Sequence, residues 1–479
     1  MNFIDILIQI SKILAITIFI PFTFYNICIP YDATKIEKRF LFCACLGIGI
    51  PFVSFVFLLF TRILNEQSFY TLFSITTLPF FFYSLFYLKK LKLFIVNNYT
   101  LPLKYNLKNI FVLFFVVVLL LFLILSCVFF PVIENDSIEY FHISRLILGK
   151  SFIYDYPSKD AIKGFVLPLT HPLGFPSYLA FGAVLLDVDI QNLNSKFFVI
   201  MVPIIISFIL IKISTYQKHI KNPFIATFLV LSFPFFFLMS FGFHIDPIRC
   251  LTFFSASLFA YLTIKRDNYS NYILLGLSIG LSWFVHSSGI LTLFILFTIV
   301  FIKNRKKLIK TITYICVSFL VCLSVVILDF IKIYDVLGSI FGDLYTMDIA
   351  KENKEAFTHF RKLDRDVSSF SEKFFYGFGK MFFEYRNFGF FYLITIPACI
   401  IYIKRKINTI FKINTFLDFS ILIVFMFYLG VLFASFIGID IFLHNHRYML
   451  QPILHMALIG SLFTEKVFSR YGIIRFRKT

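Results

Sequence analysis

Charge is scarce in this chain: Asp, Glu, Lys and Arg make up 15% of its 479 residues, where soluble domains carry about a quarter. That shortfall excludes an ordinary water-soluble fold. No Gly-rich phosphate loop and no alternating strand–helix pattern occurs, which excludes a soluble nucleotide-sugar enzyme. No C-x-x-C pair occurs among the eight cysteines (Cys28, Cys43, Cys45, Cys127, Cys250, Cys316, Cys322 and Cys399). They fall in or at the ends of apolar stretches and read as small packing residues, not as a disulfide framework or a metal site. Acids are few, 26 against 45 Lys and Arg. The basic residues lie in short loops between apolar runs and not on one face, so the net charge of +19 records membrane topology and not a nucleic-acid partner. The N-terminal apolar segment is too long, and too poor in preceding charge, for a cleaved signal peptide and reads as a retained helix.

What the chain has in abundance is hydrocarbon: 59% hydrophobic residues, including 71 phenylalanines. Apolar runs of roughly 17 to 25 residues recur from end to end, each long enough to cross a hydrocarbon core of about 30 Å. Backbone groups in lipid must be satisfied within the segment, so the spans are expected to be helices. The expected fold is all-α, a polytopic bundle of about 13 spans plus one re-entrant helix.

Basic loops around Lys35, Lys38 and Arg39, Lys89 to Lys92, Lys212 to Lys221, Lys265 and Arg266, Lys303 to Lys310, and Lys404 to Lys406 are assigned to the cytoplasm, as is the tail with Arg475, Arg477 and Lys478. Residues 131–171 follow the apolar run 109–130 and hold five acids against four bases, without the cytoplasmic bias, so this first loop is expected outside. The apolar stretch 173–186 is too short to span and ends in Asp187 and Asp189, which suggests a re-entrant or interfacial helix. Phe243-His244-Ile245-Asp246-Pro247 reads as an outer tip between spans 222–242 and 247–264. Trp283 to Gly289 reads as an outer turn between two short helices. Residues 331–386, with nine acids and nine bases and scattered aromatics, are expected to form a small extracytoplasmic subdomain. The domain reading is thus 1–88, three N-terminal helices; 109–330, a core with its first outer loop at 131–193; 331–386; and 387–479, C-terminal helices with a basic tail.

Acids in outer loops are rare enough to weigh singly. Asp136, Glu139, Tyr140 and Ile143 recur at i, i+3, i+4 and i+7, one face of a helix. Asp136 has two readings: a general base at the membrane surface, or a helix cap with Glu139 reaching back. Thr170-His171-Pro172-Leu173-Gly174 opens the short helix, with Pro172 and Pro176 stiffening its entry. Asp246 before Pro247 reads as a helix cap or a site residue, and a lone His244–x–Asp246 pair does not make a metal site.

These residues resemble a family pattern. Asp136, then Arg145 nine residues on, Leu146, Leu148 and Gly149, then His171-Pro172-Leu173, resembles the first outer loop of the GT-C glycosyltransferases, which include the aminoarabinose and protein mannosyl transferase families. Those relatives carry D-E-A-Y-Y, then A-R, then H-P-P-L or K-P-P-L. Here Ser137 replaces the paired acid and the second proline is missing. Further on, Asp246-Pro247, Gly276-Leu277-Ser278-Ile279-Gly280-Leu281 with His286-Ser287-Ser288-Gly289, and Arg447-Tyr448-Met449-Leu450-Gln451-Pro452 resemble the family's D-P, G-L-x-x-G-L with K-x-x-G, and R-Y-L-L-P elements. The match covers about 109–464 and leaves the first three helices without a counterpart.

The resemblance implies a multi-pass enzyme of the cell (inner) membrane with an extracytoplasmic site. It would transfer sugar from a polyprenyl-phosphate or diphosphate donor to a glycan, lipid or protein acceptor, with no cofactor indicated and a divalent metal left as an open alternative. Asp136 and Glu139 would be the catalytic acids. Arg145, His171, His244, Asp246, His286, Arg447 and Tyr448 would bind donor or acceptor, the arginines neutralising phosphate. The rival readings are an O-antigen polymerase or ligase, and a lipid-linked glycan flippase, which calls for charged residues inside the spans.

Overall fold

The computed structural model describes residues 15–29, 32–61, 82–99, 107–129, 135–148, 172–186, 193–217, 219–337, 371, 375, 379, 389–436 and 446–470. Among them every regular element is helical. The α-helices are α1 (Ile20–Cys28), α2 (Lys35–Thr61), α3 (Leu88–Tyr99), α4 (Leu107–Phe129), α5 (Asn135–Leu148), α6 (Gly174–Leu186), α7 (Leu193–Tyr216) and α8 (Ile225–Leu231). They continue as α9 (Pro234–Phe241), α10 (Asp246–Lys265), α11 (Tyr269–Val285), α12 (Gly289–Asn304), α13 (Leu308–Leu337), α14 (Phe390–Lys406), α15 (Phe416–Phe436) and α16 (Ile453–Arg470). Six described segments are long and apolar enough to cross a membrane: Lys35–Leu59, Asn109–Cys127, Val199–Tyr216, Asp246–Lys265, Gly289–Ile331 and Phe416–Phe433. The expected subdomain at 331–386 lies almost wholly outside the described residues, and α13 continues beyond its expected end at 330 to Leu337.

The chain divides into two compact units. The first comprises 1–101, 127–202 and 242–353, and α10 is its axis. Arg249 and its neighbours along that helix are buried from Asp246 to Thr263, because α2, α11 and α12 pack around it. Small residues set these approaches. A Cβ on Gly47 of α2 would fall 1.9 Å from the Ser255 hydroxyl oxygen of α10. On α11, Gly276 and Gly280 form a G-x-x-x-G pair against α13: a Cβ would meet the Ser318 carbonyl oxygen at 2.1 Å and the Cys322 carbonyl oxygen at 2.9 Å. The G-L-x-x-G-L stretch is therefore a packing seam between two helices. The Trp283–Gly289 turn stands between α11 and α12 where the sequence predicts it.

Polar contacts gather the basic loops at one end of this unit. Arg266 bonds Asp32 and, at 3.1 Å, Glu37. Lys310 bonds Asp267 at 2.9 Å, and Asn304 donates to the Tyr272 hydroxyl at 2.9 Å. The segments before α2, between α10 and α11, and between α12 and α13 thus share an end, the grouping that positive-inside reasoning predicts. The Arg266 guanidinium holds the exposed Asp32 carboxyl below its usual value. What stabilisation that pair adds is present above about pH 4 and is lost as pH falls through the lowered value.

The second unit comprises 102–126, 203–241 and 354–479. Here α16 packs against α8, α14 and α15, and Glu465 accepts the backbone N–H groups of Lys221, at 2.8 Å, and Asn222. Two details depart from the sequence reading. The expected span 222–242 is broken into α8 and α9 at Pro234, whose ring cannot continue the ladder. Lys212, expected in a basic loop, lies inside α7 at 1% exposure, its ammonium 5.6 Å from the Phe208 ring.

The seam on α11 makes a stability prediction. Gly276→Val is expected to lower the unfolding temperature of the detergent-solubilised protein, at a cost of about 1–3 kcal/mol for overpacking. Gly379→Ala, where a Cβ meets nothing within 4 Å, is expected to leave it unchanged.

Candidate functional site

The end of the first unit opposite the basic loops collects α5, the start of α6, the start of α10 and the α11–α12 turn. Helix α5 is amphipathic: Tyr140, Ile143, Ser144 and Ile147 are buried at helical spacing and Arg145 is exposed. Asp136 and Glu139 fall in its first turns, and their side chains lie outside the described residues. The Ser144 hydroxyl lies 2.9 Å from the Pro176 carbonyl of α6, and the Tyr140 ring packs edge-on to Phe175, with centroids 5.0 Å apart.

Helix α6, at 13 residues, is too short to cross about 30 Å. Its described side chains, through Ala183, are all buried. The helix is therefore packed inside the protein over its described length. Its start is fixed twice. The Leu173 N–H donates to the buried Asp329 carboxylate of α13 at 3.0 Å, a negative charge at a helix N-terminus. A Cβ on Gly174 would fall 2.4 Å from the Phe284 carbonyl oxygen, so the residue after H-P-L has to be glycine. His171 lies outside the described residues.

The tip before α10 departs most from expectation. Phe243, His244, Ile245 and Asp246 are each at most 1% exposed, so this is an enclosed corner and not an outer turn open to substrate. Asp246 does not cap α10 through its side chain. Its carboxylate instead lies 2.8 Å from His244 Nδ1 and against the guanidinium of Arg249. Arg249, 1% exposed, was not singled out by the sequence reading. The available signal was an arginine inside an apolar span, which is costly unless paired.

Phe243 adopts φ 58°, a left-handed backbone that costs a bulky residue about 1–3 kcal/mol. The turn directs His244 onto Asp246, and the rings of Phe243 and Phe141 meet at 4.9 Å. His244 also meets Tyr140, ring centroids 6.2 Å apart and nearly perpendicular. Consecutive residues of α5 therefore rest on consecutive residues of the corner.

His286 is buried, its Nδ1 accepting the Ser288 N–H at 3.0 Å and 2.8 Å from the Ser288 hydroxyl, which locks the turn into α12. Arg447, half-buried, stands on the 3-10 turn His446–Leu450 ahead of α16 in the second unit. The side chain of Tyr448 lies outside the described residues. The structure thus groups α5, the H-P-L-G start of α6, His244, Asp246 and the His286 turn in one unit. Among the described residues no group of three or more His, Cys, Asp or Glu is placed to hold a metal ion.

Asp246→Asn leaves the Arg249 charge buried without its counter-charge, and is expected to destabilise the solubilised protein by about 3–5 kcal/mol in a denaturant titration. Asp246→Asn combined with Arg249→Met is expected to recover most of that loss.

No protein-family model matches the chain, and no curated protein matches it. Among solved structures it is similar to the archaeal oligosaccharyltransferase AglB from Archaeoglobus fulgidus, solved in complex with an inhibitory peptide and a dolichol-phosphate. The identity is 15%, the TM-score 0.44, and the match covers 78% of this chain and 53% of that one. The chain therefore spans about half the length of that protein. At this level of likeness the functional reading has to rest on the residues themselves.

Proposed function

We propose that the chain is an integral membrane glycosyltransferase of the GT-C type. It takes a sugar from a polyprenyl-phosphate or diphosphate donor and passes it to a glycan, lipid or protein acceptor of the cell envelope, on the extracytoplasmic face. One observation supports this reading above the others. Four stretches that resemble the family's motifs, far apart in sequence, meet at one end of one unit: α5, which carries Asp136, the Pro172-Leu173-Gly174 part of H-P-L-G, D-P, and H-S-S-G. Their contacts run through Tyr140, Phe175, His244 and Gly174.

In this reading Asp136 accepts the proton of the acceptor hydroxyl or amine as that atom attacks the anomeric carbon. The bond from the anomeric carbon to the phosphate oxygen breaks, its electron pair leaves with the phosphate, and the anomeric centre inverts. Arg145, exposed on α5, offsets the phosphate charge, and Arg447, in the second unit, is the other arginine drawn from the sequence. Glu139, His171 and Tyr448 complete the set drawn from the sequence, and the enclosed His244 and Asp246 act on substrate only through α5.

One observation favours the transporter reading. Lys212, Arg249 and Asp329 are buried charged side chains in candidate spans, which such a protein requires. Two of them have evident local duties: Arg249 is paired with Asp246, and Asp329 holds the start of α6.

Membranes incubated with a panel of polyprenyl-phosphate sugars test the proposal. Asp136→Asn is expected to lose at least about a hundredfold in transfer rate, the scale of general-base catalysis. Full activity in that variant removes the base assignment, and transfer by neither protein with any donor turns the reading toward transport.

A further inference from the structure

We infer that Arg249 is a positioning residue: through Asp246 and His244 it sets the placement of α5, the helix that carries Asp136. The inference rests on the glycosyltransferase reading for its catalytic consequence, but its geometry stands apart from it. Arg249 and Asp246 are 1% and 0% exposed, so neither reaches a substrate in this arrangement. A guanidinium and a carboxylate enclosed together are poor stabilisers compared with apolar residues of the same size, and their attested use is to fix one arrangement among several. Here the arrangement fixed is the place of the His244 ring. Asp246 meets Arg249 at one carboxylate oxygen and lies 2.8 Å from His244 Nδ1 at the other. The imidazole is thus packed between the carboxylate and the Tyr140 ring.

The corner has a second grip on the same helix. Phe243 accepts a left-handed φ of 58° in the turn that directs its neighbour toward Asp246, and its own ring lies against Phe141. A glycine would relieve that backbone and lose the ring. Tyr140 and Phe141 are consecutive, so the two contacts fix both the rotation and the height of α5. Asp136 stands one helical turn before Tyr140. Loosening the corner therefore displaces the helix that carries the proposed base, and misplacement by about 1 Å at a reacting group costs on the order of a hundredfold in rate.

The test uses the full chain in membranes and in detergent. Nitroxide labels at Arg145→Cys on α5 and Tyr269→Cys on α11, both exposed, report the position of α5 within the first unit. The background is Cys316→Ser, since Cys316 is the exposed native cysteine and the other seven are buried. Arg249→Met is expected to shift or broaden the distance distribution between the labels. Without labels it is expected to lower turnover about a hundredfold, with KM for a transferred polyprenyl-phosphate sugar changed less than about threefold. Arg249→Lys, which keeps a cation beside Asp246, is expected to restore the distribution and bring turnover back to within about tenfold of the parent.

The combination Asp246→Asn with Arg249→Met removes both charges and keeps the proposal open to refutation should Arg249→Met fail to fold. It is expected to fold, with α5 still displaced and turnover still low. Recovery of both to parent values would show that the pair only avoids a lone buried charge, and would overturn the proposal, as would an unchanged distribution in Arg249→Met. If Asp136→Asn keeps full transfer the base assignment falls, and if neither protein uses any donor the glycosyltransferase reading falls; in both cases the label distances alone decide the positioning role.

Discussion

A charged group enclosed in an apolar helix bundle has to be met where it stands, because no water can come to it. The first turn of α10 meets this demand within itself: Asp246 and Arg249 are one turn apart on the same helix, and His244 folds back from the preceding turn to lie 2.8 Å from the other carboxylate oxygen. Much of the first unit is arranged around the result. Helix α10 is buried along its length because α2, α11 and α12 surround it. Its N-terminal corner is buried, with Tyr140 and Phe141 of α5 against His244 and Phe243.

The consequence for chemistry is a division of labour. The enclosed groups cannot touch a sugar or a lipid phosphate, and the residues expected to do so lie on the elements that rest upon them. Helix α6 is held by Asp329 at its first N–H and by the fit of Gly174 under the Phe284 carbonyl. Helix α5 is held by Tyr140, Phe141 and Ser144. Both short helices are supported by longer ones.

Much of this was legible in the sequence, for identifiable reasons. Hydropathy and the placement of basic residues report how a chain meets lipid and water, and so they found the apolar helices, the short helix ending at Leu186, the turn at Trp283 to Gly289 and the loops that share an end. They are silent on what packs against what. For that reason the sequence reading placed His244 and Asp246 on an open tip, passed over Arg249, and put Lys212 in a loop. A charge in an apolar stretch is visible as a letter, but its partner is decided by three-dimensional proximity. The helical face of Tyr140 and Ile143 was read correctly from spacing, whereas its contacts with Phe175 and His244 join segments too distant in the chain for periodicity to link. The G-L-x-x-G-L stretch was noticed as a family likeness, and its physical use as a seam appears only when Ser318 and Cys322 are seen against it.

The glycine contacts also bear on how the protein is built. Helices α10 to α13 follow one another directly, so the seam between α11 and α13 can close as soon as those segments have entered the bilayer. Gly47 is different: its partner Ser255 belongs to a helix made long after α2 has been inserted. Until α10 arrives, α2 presents a notch shaped for the side chains of Ser255 and Leu251. The first unit is therefore completed backwards, with an early helix waiting for a late one, and the N-terminal segment becomes part of the core only when synthesis is well past the middle of the chain.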